Sequence, residues 1–578
     1  MKIYQGIGIT PGIAIGRACV WKRSAESLPV YRLRPQEVEP EVSRLQQAID
    51  RTEQEILRLQ EKMANSLGPE YGQIFAMYRV FLQDKTIREK AITIIRQERI
   101  NAERALDVVI KDLGEVFAYS PEELLQDRRR DLLDIVERII ANLNPTKRKQ
   151  ARVLGKRRII VSQELSPSQL ATLSHQKVIG LVMEVGSPTS HAAIIARAMD
   201  LPTVVGTGIF IETLKEEETV IVDGETGQVI IDPDRKTLLS YKQKQKRLAS
   251  FQKRLQTLVH LPAKTRDGHR VNLLANIEFP EEAVSVGGYG GEGIGLYRTE
   301  YLYLNRNDLP SEEEQFQAYR RVAELMKEKP VVIRTIDLGG DKFPSHLGFG
   351  KERNPFLGWR AIRICLERPD IFISQIKAVL RAAVYGHLKI MIPMVATVEE
   401  VQQTKQVIDR SVEILRQEGK PFREEIPLGV LIEVPAAALL CHRLATMVDF
   451  FSIGTNDLIQ YTLAADRGNE RTTHLYQPCH PAILSLITTI VEQAHAHQIR
   501  VGLCGEMAAT PEIACLLVAL GVDELSMAPA AIPRVKESIR RVTWKRLVAL
   551  RDRLKDFSTH SEIYSHLKNS LADVLQEN

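Results

Sequence analysis

The sequence predicts a multidomain α/β protein: an α/β domain carrying an inserted helical subdomain, followed by a (β/α)8 TIM barrel. Three observations predict it. A chain of 578 residues is longer than one hydrophobic core organises. A block of amphipathic helices interrupts an otherwise strand-rich first part. Eight short apolar runs, most of them separated by helix-length amphipathic stretches, then occupy roughly 280 residues, the size and count of a barrel.

Taken in order, the first twenty or so residues alternate Gly with Ile, Ala and Val, which favours short strands and turns. EVSRLQQAIDRTEQEILRLQEKM then repeats apolar residues every three or four positions with charges between them, the pattern of a long amphipathic helix. YGQIFAMYRVFLQD, TIREKAITIIRQERI, AERALDVVIKDLGEVF and DRRRDLLDIVERIIANL continue it, and Asn144-Pro145 stops it. RRIIVSQEL, VIGLVMEVG, LPTVVGT and ETVIVDGETGQVIIDPD are β-branched runs broken by Gly, Asp and Pro, with the helix HAAIIARAMD among them. Residues 1–21 and 146–234 are therefore expected to form one α/β domain, with 22–145 as the helical insert. A charged, Gln-rich helix over 235–261 reads as a solvated linker. The barrel, 262–578, takes its strands from VNLLANI, GIGLYRT, VVIRTID, KIMIPMV, GVLIEVP, FFSIGTN, RVGLCGE and ELSMAP. An open doubly wound sheet is the alternative, but no Gly-rich dinucleotide fingerprint accompanies the eight strands.

Composition removes several function classes. Hydrophobic residues at 44% and charged residues at 26% are ordinary for a soluble globular chain. Lys+Arg 78 against Asp+Glu 73 leaves +5, too little on this length to imply a nucleic-acid partner. No apolar run approaches the roughly 18–20 residues of a membrane helix, so membrane insertion is not expected. The N-terminus has no basic flank, apolar block or cleavage site. Six cysteines without a CxxC pair or framework fit a reduced, cytoplasmic protein.

Barrel enzymes place chemistry where strands end. The second strand ends Tyr297-Arg298-Thr299-Glu300, the third Arg334-Thr335-Ile336-Asp337, the fifth Glu433-Val434-Pro435, the sixth Gly454-Thr455-Asn456-Asp457 and the seventh Cys504-Gly505-Glu506. Arg360 lies in the long third loop and Arg467 follows the sixth strand. Arg298, Arg334, Arg360 and Arg467 therefore converge on one mouth with Glu433 and Asp457. One strand-end arginine alone reads as a surface ion pair. Four of them suit phosphate and carboxylate oxygens, and two hard carboxylates suit Mg²⁺. His191 sits where Gly186-Ser187-Pro188-Thr189-Ser190 turns into a helix, at an N-terminus that favours an added phosphoryl group. Read alone, that histidine is a core or capping residue, and Cys504 is a buried inert thiol.

These segments together closely resemble Enzyme I of the bacterial phosphoenolpyruvate-dependent phosphotransferase system. The matches are Pro11-Gly12-Ile13-Ala14-Ile15-Gly16, Thr189-Ser190-His191, Gly295 to Glu300, Gly339-Gly340-Asp341-Lys342, Asn354 to Arg363, Phe451 to Leu458 and Cys504-Gly505-Glu506. Pyruvate phosphate dikinase and phosphoenolpyruvate synthase share the histidine domain and the barrel. No Gly-rich nucleotide-binding domain precedes His191 here, which disfavours them. The resemblance implies that the α/β domain is a swivelling phosphohistidine domain and His191 the nucleophile, phosphorylated on Nε2. It implies that Arg298, Arg334, Arg467 and Asn456 hold phosphoenolpyruvate, with Arg360 supporting and Asp457 at the same site. Glu433 and Asp457 are then the Mg²⁺ ligands, and Cys504 the acid that turns enolpyruvate into pyruvate. It further implies a homodimer through the barrel and a histidine-containing phosphocarrier protein docking on the helical block, where Arg128, Asp131 and Asp134 match a motif.

Two departures from the family stand out. Gly186-Ser187-Pro188 replaces the common Gly-Gly-Arg, and Arg79, Lys85, Arg88 and Lys90 occupy a region expected to be acidic. The expected activity is phosphoenolpyruvate-protein phosphotransfer as the first step of sugar uptake. The alternative is a nitrogen-branch homologue acting mainly as a partner-binding regulatory phosphoprotein.

Overall fold

Strand pairing sorts the sixteen strands among the described residues of the computed structural model into two sheets, one in each of two compact units, Met1–Ser250 and Phe251–Asn578. The structure describes all residues except 22–28, 67–71, 73–74, 76–77, 80, 83–84, 110–122, 144–156, 174–176, 188–189, 209–213, 305–307, 340–353, 468, 470 and 576–578.

The first unit holds β1 (Lys2–Gln5), β2 (Ile7–Thr10), β3 (Ile13–Trp21), β4 (Arg158–Ser162), β5 (Val178–Met183), β6 (Thr203–Val205), β7 (Thr219–Asp223) and β8 (Gln228–Ile231). Their order is β1-β8-β7-β3-β4-β5-β6-β2. β3 pairs in parallel with β4, Arg17 opposite Arg158 through Trp21 opposite Ser162. The strands before and after the helical block are thus direct neighbours, as an insertion requires. Consecutive β1 and β2 lie at opposite edges of the sheet order. Gly8 permits the crossing, because a Cβ there would lie 2.0 Å from the Gly224 carbonyl oxygen.

Helices α1 (Val38–Ser66), α2 (Lys85–Glu98) and α3 (Glu123–Leu143) belong to the insert. Val38, Val42, Leu45, Ile49, Ile56 and Met63 form the buried stripe that the three-and-four spacing of α1 predicts. They share one core with Ile160, Leu181 and Ile195, so the insert packs on the sheet rather than standing apart. Polar pins reinforce the contact. Tyr78 Oη donates to Asp131 Oδ1 at 3.2 Å and Asp134 Oδ2 at 2.9 Å, and Ser168 Oγ, in α4 (Pro167–Leu173), donates to Asp134 Oδ1 at 2.7 Å. Asp131 and Asp134, matched above to a docking-block motif, are therefore buried fasteners within this unit, each only 5% exposed. The side chain of Arg128 lies outside the described residues.

Helix α5 (His191–Ala198) follows β5, and α6 (Arg235–Leu258), read above as a linker, has no buried residue. In the first unit Gln245 Nε2 donates to the Ile13 carbonyl at 2.8 Å and Lys244 pairs with Asp223 at 2.7 Å. The boundary between the two compact units falls inside this helix.

The second unit closes as a barrel of eight parallel strands, the closed alternative of the two considered. β9 (Asn272–Ile277), β10 (Ile294–Tyr297), β11 (Val331–Arg334), β12 (Leu388–Ile392), β13 (Leu428–Ile432), β14 (Phe450–Gly454), β15 (Arg500–Cys504) and β16 (Glu524–Met527) pair in sequence, and β16 returns to β9. Every apolar run read as a barrel strand is one. Leu296, Val332, Met391, Leu431, Phe450 and Cys504 form a cluster of their own, one residue out of phase with the outward-facing Val331, Ile333, Ile390 and Val430. Helices α7 (Glu312–Met326), α8 (Pro369–Ala382) and α9 (Val398–Glu418) follow β10, β11 and β12, α10 (Thr455–Leu463) and α11 (Pro481–Ala496) both follow β14, and α12 (Pro511–Ala519) follows β15. Because all eight strands run the same way, their C-terminal ends share one rim. Among the described residues, no helix is long and apolar enough to cross a membrane.

Candidate active site

Most polar residues at that rim stand at or just after a strand end. Arg298 follows β10 and fixes its backbone by donating to the Ile277 carbonyl at 2.9 Å. Arg334 is the last residue of β11, and Glu433 follows β13 directly. Asn456 and Asp457 sit in the first turn of α10, Arg467 lies just beyond that helix, and Cys504 ends β15. These seven, with Arg360, line one cavity of about 260 Å³. All eight barrel residues expected from the sequence are thus brought together. Leu296 and Leu431 form its floor with Cys504.

Acids organise the arginines. Arg334 Nη2 donates to Glu300 Oε1 at 2.9 Å and its Nη1 lies 3.0 Å from Asp337 Oδ2. Arg360 donates to the other oxygen, Asp337 Oδ1, from Nη2 at 2.6 Å and Nε at 3.1 Å. The Asp337 backbone N–H in turn donates to Glu300 Oε1 at 3.1 Å. The result is a buried chain, Glu300–Arg334–Asp337–Arg360, that anchors both guanidiniums. Arg334 Nε is nevertheless buried without a hydrogen-bond partner, a donor to spare. Arg298 differs: it pairs with Glu278 at 2.6 Å across an exposed contact that a substrate can displace.

Glu278, Glu300 and Asp337 were not assigned roles from the sequence. The signal was present for two of them, since Glu300 and Asp337 stand at the same strand ends as Arg298 and Arg334. The strand-end rule that picked out Glu433 and Asp457 had only to be extended to these two carboxylates.

The carboxylates carry opposite burdens. Burial pushes Asp337 upward, but the Arg334 and Arg360 charges outweigh it and hold its carboxyl below the ordinary range. Burial, then repulsion from Asp457 and Asp337, lifts Glu433 well above that range despite Arg334. Glu433 Oε1 accepts the Met394 N–H at 2.7 Å, and a Cβ on Gly454 would lie 2.8 Å from its Oε2. Asp337, Glu433 and Asp457 each bring an oxygen within 4.8 Å of the others. Three carboxylates this close, with hard oxygen donors only, fit a divalent cation. Both Asp337 oxygens already accept from guanidiniums, three contacts in all, so Glu433 and Asp457 are the less committed carboxylates.

Cys504 is tightly packed, 4% exposed. Ser452 Oγ donates to its Sγ at 3.7 Å, and burial pushes the thiol up to about 11, so it remains a proton source at neutral pH. Gly505 follows at φ 134°, where a side chain is strained, and a Cβ would lie 2.2 Å from Thr455 Oγ1. Its absence lets the Glu506 N–H reach Asn456 Oδ1 at 3.3 Å, which commits the Asn456 oxygen and leaves its amide hydrogens for another partner.

In the other unit, His191 is the first residue of α5. Ser190 caps that helix, its Oγ accepting from Ala193 N at 3.3 Å and donating to the Ser187 carbonyl at 3.0 Å. The histidine therefore starts an eight-residue helix, at its positive end, while Arg197 is exposed. Pro188 and Thr189, and Gly340, Asp341 and Lys342 of the third loop, lie outside the described residues. His495 pairs with Asp523 at 3.0 Å and His497 Nδ1 lies 2.9 Å from the Gln493 carbonyl oxygen.

Comparison with known proteins adds three family matches. Residues 252–544 match the PEP-binding domain of PEP-utilising enzymes, 5–128 their N-terminal domain and 154–227 their mobile domain. The chain is 41% identical to the phosphoenolpyruvate-protein phosphotransferase of Priestia megaterium, over 98% of this chain and 99% of that one. It is 40% identical to that of Bacillus subtilis (strain 168), over 99% and 100% of the two chains. It is 39% identical to that of Haemophilus influenzae, over 97% and 98%.

Proposed function

The chain belongs to the PEP-utilising enzyme family, and from that premise we propose a phosphoenolpyruvate-protein phosphotransferase in which His191 accepts the phosphoryl group. The observation that carries the reading is the convergence of eight residues, from five strands and their loops, on one polar cavity at the barrel rim. Phosphoenolpyruvate carries a carboxylate and a phosphate. Arg298, Arg334 and Arg467 supply forks for both, with the Asn456 amide beside them and Arg360 in support. Glu433 and Asp457 would hold Mg²⁺, which neutralises charge building on the phosphate.

The steps balance as follows. His191 Nε2 donates its electron pair to phosphorus, and the bond from phosphorus to the enol oxygen breaks. The enolate left behind takes a proton at C3 from the Cys504 thiol, which gives pyruvate and a thiolate. The phosphoryl group then passes from His191 to a histidine of a small phosphocarrier protein. Because His191 and the cavity belong to different compact units, the first must reach the second, and α6 is the proposed hinge region. The helical insert is the proposed carrier-docking surface, and the barrel the proposed homodimer contact.

The test is incubation of the full chain with ³²P-labelled phosphoenolpyruvate and Mg²⁺. An acid-labile, base-stable label that disappears in His191→Ala supports the reading. Absence of label in the unaltered protein overturns it.

A further inference from the structure

Tyr461 has no part in the chemistry above, yet its hydroxyl sits at the rim. It lies in α10 four residues after Asp457, so both side chains share one face of that helix. The hydroxyl donates to the Phe356 carbonyl at 2.6 Å and receives a hydrogen bond from Arg360 Nη1 at 3.3 Å. Those partners are 105 and 101 residues away in the chain. One side chain thus joins the sixth-strand helix, the returning limb of the third loop and a buried guanidinium.

The consequence for Arg360 is geometric. Asp337 grips its Nε and Nη2, and Tyr461 grips Nη1, so the plane is held at both ends. The Phe356 ring lies below, 5.9 Å from Cζ. A plane held at one end only can turn about that end, whereas a plane held at both cannot. Arg360 Nη2 also lies 3.9 Å from Asp457 Oδ2, so a rotation would disturb the proposed metal ligand. The backbone beyond Arg360 is strained: Ala361 is fully buried at φ 54° and ψ −128°, a region glycine favours. Such a conformation persists only where its surroundings over-determine it. Here they are the Leu338 carbonyl, which takes the Ala361 N–H at 3.1 Å, and the Tyr461 tie on the other side. Burial keeps the phenol protonated far past neutral pH, pushed up to about 12, so the donor is always present.

We propose that Tyr461 is a positioning residue that locks the plane of Arg360 across the barrel mouth, so that the remaining N–H groups meet the anionic substrate in one fixed orientation. This rests on the reading of the cavity as a phosphoenolpyruvate site. It assigns Tyr461 a role in turnover beyond holding the fold.

A double-mutant cycle separates the two roles. Tyr461→Phe keeps the ring and deletes both hydrogen bonds. Arg360→Lys keeps the charge but has no plane to lock. Turnover of phosphoenolpyruvate with Mg²⁺ is measured for the unaltered chain, both single variants and the double, with thermal melts on the same preparations. Tyr461→Phe is expected to lower kcat/KM about 10- to 30-fold, as for loss of a hydrogen bond to a charged group. On the Arg360→Lys background it is expected to cost less than about twofold. Phosphoryl exchange between His191 and the carrier should be unchanged in all four proteins. Equal losses on both backgrounds would overturn the proposal, as would a Tyr461→Phe enzyme within about twofold of the unaltered one. Failure of the unaltered chain to consume phosphoenolpyruvate would instead sink the reading of the cavity.

Discussion

Replacing Asp337 by Asn asks whether the third carboxylate at the rim serves the arginines or the metal. The side chain is 3% exposed, and its two oxygens take three guanidinium contacts at 2.6, 3.0 and 3.1 Å. Asparagine keeps the shape but removes the charge, and its NH₂ must face one of the two guanidiniums it replaced an acceptor for. Removing one partner of a buried ion pair costs about 3–5 kcal/mol. Glu300 still pairs with Arg334 at 2.9 Å and offsets part of this, so the lower end applies. About 3–4 kcal/mol at about 1.4 kcal/mol per decade is a fall of roughly 10²- to 10³-fold in kcat/KM for phosphoenolpyruvate. The Mg²⁺ concentration giving half-maximal rate should move less than about threefold, because Asp337 already spends three of its roughly four acceptor sites on guanidiniums. The assay is pyruvate release at varied phosphoenolpyruvate and, separately, at varied Mg²⁺. A near-normal kcat/KM would refute the bridging role. A large rise in Mg²⁺ requirement, with activity restored at high Mg²⁺, would make Asp337 a metal ligand and refute the division of the three carboxylates.

Two further outcomes follow from the same rim. Gly505→Ala should lower kcat/KM at least roughly 10²-fold, because a Cβ 2.2 Å from Thr455 Oγ1 and 3.0 Å from Asn456 Oδ1 displaces the turn carrying Asn456 and Asp457; an enzyme indistinguishable from the unaltered one would mean that the turn tolerates the shift. The Cys504 thiol, raised by burial to about 11, keeps its proton through neutral pH. Its contribution to pyruvate formation should therefore stay flat to about pH 9 and fail only towards 11, since the acid form is the one required. Exchange of pyruvate methyl protons with solvent requires the thiolate instead, so it should climb about tenfold per pH unit over that range and vanish in Cys504→Ala. An exchange rate that levels off below pH 8 would assign the base to another group.

Much of this molecule was legible before any coordinates. Eight apolar runs located eight barrel strands, and the residues closing those runs located the cavity, because strand length, side-chain alternation and strand-end position are local properties of the chain. The long helix of the insert was equally plain from its three-and-four spacing. The arginines and carboxylates stood out by chemistry, and a parallel barrel leaves strand ends nowhere to go but one rim.

What the sequence could not supply is who holds whom. Asp131 and Asp134 look like surface acids in a helix, yet the fold turns them inward onto Tyr78 and Ser168. Asp337 looks as apt a metal ligand as Asp457 until both its oxygens are seen on Arg334 and Arg360. Tyr461 carries no motif at all; it matters only because barrel closure brings it to Phe356 and Arg360. The physical reason is the same in each case. Backbone conformation and burial answer to neighbours a few residues away, so periodicity records them. A side-chain hydrogen bond is chosen among all the donors and acceptors that folding gathers within 3 Å, and these come from segments as much as 105 residues apart. The chain determined by itself which residues reach the rim; only the tertiary structure decided which of them are spent on one another and which are left for the substrate.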